Sequence, residues 1–504
     1  MRSLGAVLAI TVAVVTTGVL VVVTDGNPAF ALAPVAAALA LLGTFRLPLA
    51  SLAGLLVFVS LVVDNPSERP GMGAFKSIVY APGKLFYIAL DASAGIPGLK
   101  LFGIELLFGL LTLLVLIRAR NRPKHEPAPL RPASPLTTAS MWAVAALLLL
   151  EVYGIATGGN ARFSMLQLRA LLFAVWLPFV LSHCFDQDRH ADLVVKVILG
   201  AACVRAALGV YYWATLMRHG VVGEGDLGGG TYVMTHSDSV LAAVAVLYCF
   251  VRLYEQPSVR ALLISGAVVP PIMFFMIVNN RRLAFVGLVL GVAAIYFAAD
   301  RVLRRRVHLT VLACLPLLIG YVAAGWTSNA TWARPVQTLR SVVVQEDASS
   351  ATRGIENYNL ILTLKQRPLL GWGLGHEYVE QVHANDISKF FEAYRYVPHN
   401  SILWLWTVGA VPGAFAVFAL LAVGVFLAVR THRCSSSPQA RVLALLCVGG
   451  VIVYGVQAFG DMGLQSWMGA LVLGTLLGFV GHASVRATAW PGACERREDT
   501  ARER

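Results

Sequence analysis

His399 is the side chain whose type and position best suit proton transfer. It follows a long polar segment, residues 326–398, and Asn400 and an apolar run come directly after it. An imidazole takes up and releases a proton near neutral pH, so His399 at a boundary between water and lipid can act as a general base for a hydroxyl group. The alternative is structural: the histidine anchors the end of a membrane helix, and Asn400 caps that helix.

Arg281 and Arg282 are the leading candidates for binding a phosphorylated ligand. They follow Asn279 and Asn280 in a short turn between two apolar runs, at the end predicted to face outward. Positive charge is normally sparse in such turns, and a guanidinium binds phosphate oxygens through paired hydrogen bonds. The two arginines therefore fit a diphosphate clamp. The alternative is that they extend to lipid headgroups and have no role in function.

Arg205 lies near the middle of an apolar run, residues 193–213. A charge at that depth costs roughly 2.5–3.5 kcal/mol on insertion scales, and it usually faces a cavity or a partner. Arg205 can therefore reach a phosphate, or it can form an ion pair with Glu151 or Glu105. The sequence favours neither interpretation.

Four further residues are weaker candidates for orienting a substrate. His236 and Asp238 precede an apolar run on the outer side, where capping of a helix is the favoured interpretation. Arg353 and Arg367 are cations near the glycine-rich run Gly371–Gly375 (GWGLG). That run lacks the strand, loop and helix context of a nucleotide P-loop. No clustered metal ligands occur in an outer loop, so neither a metal nor another cofactor is expected.

The composition identifies an integral membrane protein. The chain has 504 residues, of which 57% are hydrophobic and 13% charged, with a mean hydropathy of +0.71. A soluble domain carries about 25% charged residues. Apolar runs of about 20 residues recur, long enough to cross a bilayer as helices. The predicted fold is all-α, a polytopic transmembrane bundle of about fourteen spans with one large, partly helical outer loop. The predicted spans lie near residues 4–23, 29–44, 47–63, 101–118, 139–157, 167–183, 193–213, 239–253, 260–278, 283–299, 309–325, 400–429, 441–458 and 466–485.

The net charge of +13 indicates orientation in the membrane rather than binding of nucleic acid. Lys and Arg are concentrated in the loops that an inward N-terminus places in the cytoplasm. Both termini are then cytoplasmic, and residues 326–398 lie outside. The first run, residues 4–23, exceeds the apolar core of about 7–15 residues in a signal peptide, so an uncleaved span is favoured. The seven cysteines fall in spans or on the cytoplasmic side, so no disulfide is expected on the outer face.

Four parts follow one another along the chain. They are a four-span N-terminal part (residues 1–117), a basic, proline-rich cytoplasmic linker (118–138), the main membrane domain (139–485) and a charged cytoplasmic tail (486–504). In the outer loop of the main domain, Gly354–Lys365 has the spacing of an amphipathic helix lying on the membrane surface. Arg367 and Pro368 end that pattern. The glycines of GWGLG permit tight turns or close approach of two backbones.

The order of these motifs resembles the O-antigen ligase and polymerase superfamily of bacterial membrane glycosyltransferases. The resemblance covers roughly residues 142–480. It rests on arginines that end an outer turn (NNRRLAFVGL), on a large loop containing RG, EN and LKQRPLLGWGLG, and on PHNSILWLWTVGAVPG at the start of the next span. The four N-terminal spans are an addition that the resemblance does not explain.

The resemblance implies an enzyme of the bacterial inner membrane with its active site facing the periplasm. The implied donor is a glycan on undecaprenyl diphosphate, and the acceptor is a sugar hydroxyl of a glycan or of a lipid A core. Arg282, with Arg281, is then the diphosphate site. The candidates for a further cation are Arg205, Arg218 and Arg162. His399 activates the acceptor, without a metal, and displacement inverts the anomeric centre. Ligases and polymerases of O-antigen or exopolysaccharide share the donor and differ in the acceptor, and both stay open.

Two other functions fit parts of the sequence. A lipid-linked oligosaccharide flippase also commonly has fourteen spans, but it is expected to show two related halves and short loops. This chain has halves that look unrelated and one dominant loop, which favours the glycosyltransferase. A non-catalytic scaffold that docks periplasmic partners on the loop is the third hypothesis.

Overall fold

The computed structural model describes residues 47–66, 79–95, 100–120, 134–218, 233–328, 330–333, 335–337, 340, 348–383, 388 and 391–489. The predicted spans near 4–23 and 29–44, most of the linker and nearly all of the tail lie outside these residues. The chain separates into two compact units, Met1–Leu55 and Leu56–Arg504. In the first unit the described residues include the start of one helix, and all the other described helices belong to the second unit.

The described residues are helical and form no β-strand, which confirms the predicted all-α class. The helices are α1 (Leu49–Val62), α2 (Tyr80–Tyr87), α3 (Leu90–Ser93), α4 (Gly103–Arg120), α5 (Pro135–Ala156), α6 (Ala161–Cys184), α7 (His190–Arg218), α8 (His236–Glu255), α9 (Val259–Asn279), α10 (Arg282–Ala298), α11 (Arg301–Gly325), α12 (Ala348–Gln366), α13 (Ser401–Cys434), α14 (Pro438–Gly460) and α15 (Trp467–Arg486).

Nine of the described helices are long and apolar enough to cross a membrane, so the multi-pass prediction is confirmed. They are α5, α6, α7, α8, α9, α11, α13, α14 and α15. Helices α1 and α10 are apolar but shorter, at 14 and 17 residues. The total of fourteen spans stays a prediction.

Helices α14 and α15 form the centre of the second unit. Helix α15 packs along α6 and α14, and α14 also packs against α8, α10 and α13. In α15, 89% of the most apolar window is buried inside the protein, compared with 6% in α11. Helix α15 is therefore a core element, whereas α11 has almost its whole apolar surface available to lipid.

The helical backbone of α13 is interrupted, and the glycine-rich run of the preceding long loop binds at this interruption. Ala410 has φ 36° and ψ −133°, outside the helical region. Two residues later, Pro412 lacks an N–H, and its ring would clash with the carbonyl of Val408 in a regular helix. That carbonyl instead accepts a hydrogen bond from the Gly373 N–H at 2.8 Å. The proline thus frees a helix carbonyl that fixes the glycine-rich run to the membrane domain.

The glycine-rich run is a structural clamp. Gly371, Gly373 and Gly375 have φ values of +74°, +86° and +86°, a region that favours glycine. A Cβ on Gly373 would lie 2.3 Å from the Cα of Gly154 in α5. The predicted close backbone approach is therefore confirmed. The N–H groups of these three glycines donate to protein acceptors, so the run is not a phosphate cradle.

Helix α12 contains the predicted amphipathic segment and ends directly before Arg367 and Pro368. Its apolar residues Tyr358 and Ile361 are 52% and 41% exposed, whereas its polar side is buried. Asn359 on the buried side accepts hydrogen bonds from the N–H groups of residues 381 and 382, each at 3.1 Å. Polar side chains thus bind the helix to its own loop, and the apolar side faces outward. The placement of this side on a membrane surface stays a prediction.

Candidate functional site

His399 and Glu356 form a hydrogen-bonded pair. The Nδ1 atom of His399 lies 3.2 and 3.4 Å from the two carboxylate oxygens of Glu356, and the main-chain N–H of His399 donates to the same carboxylate at 3.0 Å. Glu356 belongs to α12 and is 3% exposed. The His399 side chain, just ahead of α13, is 29% exposed. A carboxylate at Nδ1 favours the tautomer with its proton there, which leaves Nε2 as the basic atom.

Asn400 has the capping role that the sequence suggested. Its side-chain oxygen accepts from the Leu403 N–H at 3.1 Å at the start of α13. Capping by Asn400 and proton transfer by His399 are compatible, because they use different side chains. The cap fixes the backbone that carries His399.

Glu356 is expected to hold His399 in the tautomer and orientation that proton transfer requires, and Glu356→Gln tests this. The amide keeps the size of the side chain but removes the charge that stabilises a protonated imidazole. We expect catalytic turnover to fall at least about tenfold, since hydrogen bonds to charged groups contribute about 1.5–3 kcal/mol. The measurement is initial rate at equal protein level, with Glu377→Gln as the control, because Glu377 pairs with Arg395 in the same loop. Equal rates in the two variants would contradict a role for the pair.

Arg281 is held beside His236, where α8 begins and α9 ends. Its NH1 group lies 2.9 Å from Nε2 of His236, and its Nε and NH2 groups donate to the carbonyl of Met234 at 3.3 and 3.2 Å. The carboxylate of Asp461 lies 3.9 Å from Nδ1 of His236. The charges of Arg353 and His399 also act on His236. Cations, imidazoles and a carboxylate therefore come together from five helices or the residues next to them. These helices are α8, α10, α12, α13 and α14.

The remaining predicted arginines are placed differently. Arg282 begins α10 and its side chain is exposed, whereas Arg353 of α12 is half-buried. Arg367 lies with its guanidinium 4.0 Å from the ring centre of Trp372, an arrangement that favours a cation–π interaction. Its charge acts on His376, which contacts the carbonyl of Gly154 at 3.2 Å. Arg367 thus belongs to the surface of the glycine-rich clamp.

Arg205 is part of a buried charge network. It is 2% exposed, and its guanidinium contacts Asp64 at 2.5 Å and Asp238 at 2.6 Å. It does not pair with Glu151 or Glu105, the partners suggested by the sequence. Glu151 accepts a hydrogen bond from a serine hydroxyl, and Glu105 lies 3.4 Å from another arginine. Two carboxylates already neutralise Arg205, so its position indicates a structural role.

Asp238 also completes the cap of α8. Its carboxylate accepts from the main-chain N–H of Thr235 at 2.9 Å, and the Thr235 hydroxyl accepts from the Asp238 N–H at 3.3 Å, which is a capping box. Asp238 is fully buried. The favoured capping interpretation is therefore confirmed, and Asp238 links the start of α8 to Arg205.

Glu356 and Asp461 were not among the candidate site residues expected from the sequence. Glu356 lies 43 residues before His399, and no local pattern joins the two. Asp461 follows the last residue of α14 and carries no motif. Two signals for Glu356 were available. It is the first residue of the EN motif of the resemblance, and the helical spacing of α12 separates it from the apolar residues Tyr358 and Ile361 and so marks it as part of a polar side.

One group of metal-type ligands occurs among the described residues, far from this site. Ligand atoms of Glu255, Asp300 and His432 lie within 4.8 Å of one another. Arg441 binds the Glu255 carboxylate and contacts Asp300 at 3.0 Å, so an arginine supplies the positive charge. The cluster is at the opposite end of α8 from His236, roughly 30 Å away for 20 helical residues. It ties the ends of α8, α11, α13 and α14 together.

The fold and the site define a multi-pass α-helical membrane protein with a His–Glu pair and arginines at one end of the bundle. Residues 272–418 match the family model described as O-Antigen ligase. The matched segment contains Arg281, Arg282, the outer loop and His399. The match covers part of the chain and supports the resemblance to the O-antigen ligase and polymerase superfamily that the motifs indicated. A search of the curated proteins finds no match.

Proposed function

We propose that the protein transfers a glycan from undecaprenyl diphosphate to a sugar hydroxyl at the periplasmic face of the bacterial inner membrane. The observation that carries this proposal is the His399–Glu356 pair, in which the carboxylate contacts Nδ1 and leaves Nε2 as the basic atom. The charges of His399, Arg281 and Arg353 all act on His236, so the base and these cations share one part of the protein. A base beside cations suits the attack of a hydroxyl on a carbon whose leaving group is an anion. The match to the O-antigen ligase family lies on the same segment.

The reaction step follows from the orientation of His399. Its Nε2 atom accepts the proton of the acceptor hydroxyl while that oxygen forms a bond to the anomeric carbon of the donor sugar. The bond between this carbon and the diphosphate oxygen breaks, and its electron pair leaves with the diphosphate. Attack from the face opposite the leaving group inverts the anomeric centre. Glu356 stabilises the imidazolium that forms, as an orienting carboxylate does in other acid–base dyads.

The diphosphate is proposed to bind at the start of α10. Arg282 is exposed there and Arg281 is the residue before it, without a side-chain cap on the helix. The N-terminus of a helix favours an anion because its first N–H groups and its dipole point toward it. Arg353 and His236 are proposed to orient the substrate nearby, and Arg367 to do so from the loop surface. Arg205 is left out of the diphosphate site because two carboxylates neutralise it.

Arg282→Lys is expected to lower activity at least about tenfold, because lysine keeps the charge but lacks the paired donors of a guanidinium. The measurement is the donor KM and the turnover of the purified variant. Arg162→Lys is the matched control, since Arg162 forms an exposed ion pair with Glu392 at 2.7 Å. Wild-type donor KM and turnover in Arg282→Lys would show that no paired contact with the diphosphate exists.

The size distribution of lipid-linked and surface glycan in a deletion strain tests the proposed class. Single repeat units in place of long chains identify a polymerase. Full-length chains retained on undecaprenyl diphosphate identify a ligase. Lipid-linked units that accumulate in the cytoplasmic leaflet identify a flippase and overturn the proposal.

A further inference from the structure

We propose that Asp461 and His236 form the subsite that binds the acceptor sugar through its hydroxyl groups. This inference rests on the proposed glycosyl transfer and assigns its acceptor side. The two side chains come from different helices, and neither belongs to the His399–Glu356 pair.

Asp461 is fixed close to the base by its main chain. Its N–H donates to the Gln457 carbonyl at 2.8 Å, and its carbonyl accepts from the Ser401 hydroxyl at 3.3 Å. Ser401 is two residues beyond His399, so the start of α13 carries the base and also contacts Asp461. The Asp461 side chain is 16% exposed, and its carboxylate makes no hydrogen bond to any residue that the structure describes.

His236 directs a hydrogen-bond donor toward the Asp461 carboxylate but does not form a hydrogen bond with it. The guanidinium of Arg281 has only donors, so Nε2 of His236, 2.9 Å away, must accept. Nδ1 then carries the proton, and it has no hydrogen-bond partner among the described residues although it is buried. The distance from Nδ1 to the Asp461 carboxylate is 3.9 Å, too long for a hydrogen bond. A buried donor and an acceptor thus face each other without bonding.

A sugar hydroxyl satisfies both groups at once. Its oxygen accepts from the Nδ1–H of His236, and its proton is donated to the carboxylate of Asp461, which is the combination that a single hydroxyl offers. A buried donor without a partner costs free energy that such a ligand recovers.

The charges separate this subsite from the diphosphate. The Asp461 carboxylate repels an anion, so the leaving group is excluded from its side and belongs with Arg282 at the start of α10. A neutral hydroxyl is not repelled. The Asp461 carbonyl accepts from Ser401, two residues beyond His399, so a hydroxyl bound by His236 and Asp461 lies on the side of the base. The sugar bound here is therefore the acceptor rather than the donor.

The test measures transfer and donor hydrolysis separately in purified protein. The donor is the lipid-linked glycan isolated from a deletion strain. The acceptor is the one that the deletion phenotype indicates, an oligosaccharide of the repeat unit for a polymerase or a lipid A core for a ligase. Asp461→Asn keeps the size of the side chain and its main-chain contacts. We expect its acceptor KM to rise about tenfold or more, with donor KM and donor hydrolysis unchanged, since a charged hydrogen bond is lost on the acceptor side alone. Asp461→Glu is expected to recover part of the loss.

The control is Glu392→Gln, an exposed loop carboxylate that should leave every parameter unchanged. A wild-type acceptor KM in Asp461→Asn overturns the subsite, and so does an equal loss of donor hydrolysis and transfer. If the wild-type protein converts no donor at all, the proposed function itself fails. These results are distinguishable because the last does not involve the variant.

Discussion

Replacement of His399 by Ala is expected to abolish glycan transfer while the protein accumulates and folds normally. A positioned general base contributes about 100- to 10,000-fold to a rate. The stability cost is expected to be small, because the His399 side chain is 29% exposed. The main-chain N–H at position 399 also continues to bind Glu356 at 3.0 Å. The measurement is the rate of transfer by purified variant and wild-type protein at equal concentration.

His383→Ala is the matched control for this experiment. His383 belongs to the same loop and also lies near a glutamate, with Nδ1 3.5 Å from the Glu380 carboxylate, but its side chain is 93% exposed. It should retain full activity. Full activity of His399→Ala would show that His399 is not the base, and it would favour the scaffold hypothesis. Equal losses in both variants would point to a general effect on the loop.

Replacement of Arg205 by Met is expected to destabilise the fold rather than to weaken donor binding alone. The change leaves the carboxylates of Asp64 and Asp238 buried without their cation. Removing one partner of a buried ion pair typically costs about 3–5 kcal/mol. We therefore expect a marked fall in the thermal midpoint of the detergent-solubilised protein and a low yield.

Arg260→Met controls for the loss of an arginine from a helix, because Arg260 lies exposed in the first turn of α9. Its thermal midpoint should stay within the error of wild type. If Arg205→Met kept a wild-type midpoint but lost donor affinity, the network would be a substrate site. The original hypothesis that Arg205 binds the diphosphate would then be supported.

The residues found from the sequence are those with a local signal. His399 stands at a change from polar to apolar sequence, Arg281 and Arg282 break the charge pattern of an outer turn, and Gly354–Lys365 has helical spacing. Each signal lies within a few consecutive residues, so it can be recognised without knowledge of the fold. The C-terminal end of α12 and the capping by Asp238 could be predicted for the same reason, whereas the start of α12 at Ala348 lies before the predicted segment.

The residues that contact them could not be predicted from the sequence in this way. Glu356, Asp461 and Asp64 acquire their roles through contacts that depend on packing of α12, of α14 and of the segment after α1 against other helices. An acidic residue in a loop or at a helix end has the same local appearance whether it is solvated or buried. The choice of partner for Arg205 likewise depended on which carboxylate the tertiary structure places within reach.

The most direct test of the account is the reaction of purified wild-type protein in lipid nanodiscs with an undecaprenyl-diphosphate glycan and both candidate acceptors, an oligosaccharide of the repeat unit and a lipid A core. The products are identified by mass and by the anomeric configuration of the new bond. We predict release of undecaprenyl diphosphate and a glycosidic linkage of inverted configuration. A linkage of retained configuration, or an intact donor after prolonged incubation, would contradict direct displacement by a hydroxyl that His399 activates.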